Sequence, residues 1–62
     1  MGEDNFSNIR DLISKFKDKS WYTRKKSAEE VINFGADAFN PLMEAARADN
    51  DDVRFWSYFC LA

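Results

Sequence analysis

Ser20-Trp21-Tyr22-Thr23-Arg24-Lys25-Lys26-Ser27-Ala28 and, thirty residues later, Asn50-Asp51-Asp52-Val53-Arg54-Phe55-Trp56-Ser57-Tyr58 open two segments built on one plan. Each starts on a residue whose short polar side chain suits a helix N-cap, then places an Arg four positions on and a Ser three beyond that. The likeness extends outward: Ile9, Leu12, Ile13, Phe16 and Val31 recur in character as Phe39, Leu42, Met43, Ala46 and Leu61. Self-similarity at a fixed interval of this size marks stacked helical units, each burying its apolar face on the next. The expected architecture is therefore all-α, four short helices stacked as antiparallel pairs in an α-solenoid, over one domain spanning residues 1–62.

Periodicity and stop signals place the four helices. Phe6, Ile9, Leu12, Ile13 and Phe16 recur at three- and four-residue intervals and predict a helix over 5–18. Ser20 caps a second over 20–34, with Trp21, Ala28, Val31 and Ile32 as its apolar stripe and Gly35 as the left-handed residue that ends it. Pro41 fits only near a first turn, so the third helix spans 37–48, capped by Asp37 or alternatively Asn40, with Phe39, Leu42, Met43 and Ala46 inward. Asn50 caps the fourth over 50–62, and Asp51 and Asp52 lie where the helix dipole favours negative charge. No stretch alternates as a strand does.

The ordered set Arg24, Ser27, Gly35, Pro41, followed by Arg54 and Ser57, resembles HEAT repeats, especially the short bacterial HEAT-like type. That resemblance covers nearly everything after Asn5. It implies one full repeat, the second and third helices, flanked by two half repeats. It also implies that Asp18, Arg24 and Arg54 join a ladder of polar contacts between units. Two departures stand out. The counterpart of Gly35 falls three residues beyond Ala62, and Tyr58 stands where the first copy has Ala28.

Composition narrows the function. A 62-residue chain buries only about 60% of the surface its unfolded form exposes, so its stability is small. Charge is uneven. Residues 10–26 carry seven basic side chains against Asp11 and Asp18, a formal +5, and the remainder carries −7, for a net −2. A pI near 4.9 argues against a dedicated nucleic-acid binder. Lys15, Lys17, Lys19, Lys25 and Lys26 are a candidate anion contact, weighed against an ordinary solvated face at helix ends.

No catalytic constellation is present: there is no His, the pairs Glu29-Glu30 and Asp51-Asp52 point to different parts of a helix surface, and Gly2 and Gly35 make no phosphate loop. One Cys and no His build no metal site, and no cofactor is implied. The expectation is a non-enzyme in a reducing, cytoplasmic setting. Residues 1–6 lack a signal peptide or myristoylation pattern, and no apolar run nears the ~20 residues of a membrane span.

The fourth helix carries the functional signal. Val53, Phe55, Trp56, Tyr58, Phe59, Cys60 and Leu61 surround it almost completely, and a helix apolar all round is buried on more than one side. Phe55, Trp56, Tyr58, Phe59 and Leu61 are the expected interface, covered either by a continuation of the solenoid or by another copy. The leading expectation is a protein–protein interaction scaffold or adaptor that forms a homo-oligomer. The alternative is a fragment of a larger HEAT-like enzyme-associated protein, similar to bilin-lyase components or to HEAT-like DNA glycosylases.

Overall fold

Capping decides where the helices begin. In the computed structural model of the chain, which describes residues 5–62, Ser20 Oγ accepts the Thr23 amide at 3.2 Å and Asn50 Oδ1 accepts the Val53 amide at 3.0 Å. Each bond satisfies one amide that a first turn leaves without a helical partner. Residues 1–4, part of the run read above for targeting signals, lie outside the described residues.

Four α-helices follow: α1 (Asn5–Ser14), α2 (Trp21–Asn33), α3 (Phe39–Ala45) and α4 (Asp51–Leu61), with 3-10 turns at Lys15–Lys17 and Gly35–Ala38. The described residues contain no strand. None of the helices is long and apolar enough to cross a membrane. Gly35 takes φ 65°, the left-handed conformation that a glycine adopts without steric penalty, and it ends α2 as expected.

Two helix bounds differ from the sequence reading. The first helix tightens at Lys15–Lys17 instead of running on to 18, yet Phe16 inside that turn is completely buried. The third begins at Phe39 and ends at Ala45, shorter at both ends than 37–48. Pro41 has no N–H to donate back to Asp37, so the α-helical ladder is not anchored there, and the chain at Gly35–Ala38 winds as a 3-10 turn. Neither Asp37 nor Asn40 caps α3. The Asp37 carboxylate instead accepts Asn5 Nδ2 at 3.2 Å, tying the start of α1 to the turn before α3.

The core is formed by Ile9, Phe16, Ala28, Val31, Ala38, Leu42, Val53 and Trp56, with Leu12, Ile13, Phe34, Cys60 and Leu61 packed around it. Helix α2 packs on α1 and α4, and α3 packs on α4 and α1. Trp21 meets Trp56 while Ala28 further along meets Cys60, so α2 and α4 run side by side in the same direction. The Cα radius of gyration is 10.7 Å, the value expected of a closed globule of this length, about 10.5 Å.

Several residues assigned to buried stripes lie outside. Phe6, Trp21, Ile32, Phe39 and Met43 are all exposed. Apolar residues occupy more than one face of these helices, and on α2 and around α3 the buried side is the one carrying small residues, Ala28 on α2 and Ala38 and Ala46 at the two ends of α3.

Candidate interaction surface

Helix α4 divides into two apolar faces. Val53, Trp56 and Ser57 turn inward, and Ser57 Oγ donates to the Val53 carbonyl at 2.7 Å, which satisfies its fully buried hydroxyl. The opposite side carries Phe55, Tyr58 and Phe59, spaced three and four residues apart so that they share one face, and these remain 58%, 59% and 42% exposed. At roughly 200 Å² per aromatic side chain, those fractions leave on the order of 300 Å² of ring surface in water.

Trp56 had been grouped with the interface, but only 4% of it is exposed. Its ring packs edge-on at 6.3 Å to Trp21, 5.0 Å to Phe55 and 5.2 Å to Phe59, a geometry that aims positive ring edges at negative faces. It is the pillar beneath the surface and no part of it. Leu61 is likewise half-buried against the core. Trp21, exposed on α2, joins the outer aromatics through this pillar.

The polar residues form a repeated device, although not the one expected. Arg24 Nη1 donates to the main-chain carbonyls of Asp18 at 2.5 Å and Lys19 at 3.1 Å. Arg54 Nη1 donates to the carbonyls of Ala48 at 2.7 Å and Asp49 at 2.9 Å, and its Nη2 pairs with the Asp51 carboxylate. Each Arg thus clasps the turn that leads into its own helix, at the same offsets of five and six residues. The Asp18 carboxylate serves the Ser20 amide at 2.9 Å and does not meet Arg24. A ladder running from Arg24 to Arg54 is absent among these contacts.

The lysines do not assemble into one anion site. Lys25 is paired with Glu29 at 2.5 Å on the surface of α2, and that hydrogen bond holds the Glu29 carboxyl below its ordinary value. Lys25 and Lys26 border one shallow trough with Trp21 and Tyr22, whereas Lys15 shares another with Lys26. Lys17 and Lys19 line neither. The described residues hold no group of three potential metal ligands.

Cys60 is half-buried, donates to the Ala28 carbonyl at 3.4 Å, and has its thiol pushed by burial up to about 11. Only the thiolate is nucleophilic, so alkylation by iodoacetamide at pH 8 is expected to run about a hundredfold slower than in the urea-unfolded chain. Equal rates would contradict it. Because the folded value is raised, the associated stability is present below the unfolded thiol's pKa and is lost as pH rises toward about 11.

The exposed Phe55-Tyr58-Phe59 face is a feature that composition alone suggested only as an all-round apolar helix. The double clasp on backbone carbonyls was missed, because side-chain sequence carries no sign of which carbonyls a turn leaves open. No protein-family model, curated protein or solved structure matches the chain.

Proposed function

We propose that the chain is a non-catalytic, HEAT-like helical-repeat module that works through protein–protein interaction and associates with itself by the outer face of α4. One comparison within the molecule carries this reading. Thirty residues before Phe55 and Phe59 stand Lys25 and Glu29, an ion pair in water on α2. Two of the three equivalent positions of the first unit are thus solvated, while the third, Ala28, is buried beneath α4, so aromatic rings at 55 and 59 are not required by the fold. Contiguous exposed aromatic surface bounded by Asp51 and Asp52 has the composition of an interface core with a polar rim. The unpaired thiol of Cys60 suits a reducing, cytoplasmic setting.

Light scattering coupled to size exclusion, run at micromolar concentrations, tests the proposal. The wild-type protein is expected to elute at a multiple of 7.2 kDa and Phe59→Glu as a folded 7.2 kDa species, since a charge placed in a dry aromatic contact is costly. A wild-type mass of 7.2 kDa throughout, or an unaltered assembly in the variant, refutes it.

A further inference from the structure

We infer that the partner on α4 is a second copy of this chain arranged about a two-fold axis, outer face to outer face, so that assembly stops at a closed pair and does not grow into an array. The inference rests on the self-association reading above and adds its symmetry.

The internal packing shows how one unit seats on the next. Helix α4 lies on α2 through Trp56 and Cys60, and Cys60 reaches the backbone of α2 because Ala28, fully buried, leaves room for it. A third unit seated on α4 in the same way meets position 58, the counterpart of Ala28. Tyr58 stands there, and its phenol ring occupies the space through which the third unit would approach. The stacking face of the first unit is closed as well. Thirty residues before Trp56 and Cys60 stand Lys26 and Glu30, both exposed and charged. A head-to-tail contact would strip the hydration from these two charges against Phe55 and Tyr58, and that is unfavourable even where they pair with each other.

What matches an uncharged aromatic face is another such face. The three α4 rings together with Trp21 offer on the order of 400 Å² per copy, about half of what each partner contributes to a standard interface. A patch of that size suits a weak contact, and the affinity expected is micromolar. Running the two α4 helices antiparallel also keeps the acidic first turns, Asp51 and Asp52, at opposite ends of the contact. A contact in which each copy uses the same patch is isologous and closes at two; one using two different patches does not.

Mixing distinguishes these cases. Fluorescently labelled wild-type protein and labelled Tyr58→Glu are each titrated with unlabelled wild type up to about 100 μM and followed by anisotropy. Tyr58 is exposed and stacks on no other ring among the described residues, so the variant is expected to retain the wild-type circular dichroism spectrum; Phe55→Lys, read in the same way, serves should it fail to fold. In a closed pair the variant has spoiled its one contact patch, and its affinity for wild type falls about tenfold or more. Under a heterologous contact, with the α4 face docking on Lys26 and Glu30 or on exposed Phe39 and Met43, the variant still offers an intact receiving patch. It then binds wild type undiminished, and the inference is overturned. If labelled wild type fails to bind wild type at all, self-association itself is wrong, a result that stands apart from the other two. Masses beyond twice 7.2 kDa that rise with concentration also overturn the closed pair.

Discussion

Trp56→Ala is expected to remove most of the protein's stability. The residue is 4% exposed and meets Trp21, Phe55 and Phe59 edge-on, so truncation forfeits its burial, three ring contacts, and leaves a cavity between α2 and α4. Removal of a buried aromatic side chain costs about 3–5 kcal/mol. A folded domain carries about 0.05–0.15 kcal/mol per residue, which for this length is roughly 3–9 kcal/mol in all. The loss is comparable to the whole. The melting temperature is expected to fall by about 15–30 °C or the transition to vanish, read by circular dichroism, with Trp56→Phe in between. A cooperative melt within a few degrees of wild type would show that Trp56 is dispensable and that its neighbours close over the gap.

Sequence made the local features of this fold readable and left the choice between faces open. The caps at Ser20 and Asn50 and the left-handed turn at Gly35 depend on side chains reaching adjacent backbone, and each is found where the residue type required it. The thirty-residue equivalence also holds where it concerns short-range chemistry: Arg24 and Arg54 make the same clasp, and Ser27 and Ser57 are both buried with hydroxyls on main-chain carbonyls. It fails for Ile9 and Phe39, one fully buried and the other exposed. On and beside α3, residues 38, 39, 42, 43, 45 and 46 are all apolar, and such a run fits two faces equally. Contact between helices decided the matter, and periodicity contains no information about which neighbour arrives.

The interaction surface was legible to the same degree. Too many aromatic residues for one covered side are visible in composition, whereas the separation of Trp56 from Phe55, Tyr58 and Phe59 needed the position of α2. Helix geometry alone places 56 about 100° from 55, but it does not say which side is wet. That is why Trp56, which supports the outer rings, and Leu61, packed on the core, are not separated from them by sequence alone.

Arg54→Ala is expected to lower stability by about 1–3 kcal/mol, and Arg24→Ala by less, about 0.5–1.5 kcal/mol. Both arginines grip the preceding turn with the two hydrogens of Nη1, yet what they leave behind differs. The carbonyl of Ala48 is partly buried, and without Arg54 it loses its partner where water reaches it poorly. The carbonyls of Asp18 and Lys19 are exposed, so water replaces Arg24 at little cost. The arginines themselves differ too. Arg54 has a further partner in Asp51, whereas Trp21 occupies the corresponding place beside Arg24, and Arg24 Nε is buried with no hydrogen-bond partner. Stranding that donor offsets part of what the clasp contributes, so removing Arg24 gives some of the loss back. Urea titrations of the two variants give the comparison directly, with Arg54→Lys expected to recover less than half because an ammonium lacks the planar fork. Should Arg24→Ala prove as costly as Arg54→Ala, carbonyl burial does not set the strength of the clasp, and the polar contacts at the first turn reach further into the molecule than Asp18 and Lys19.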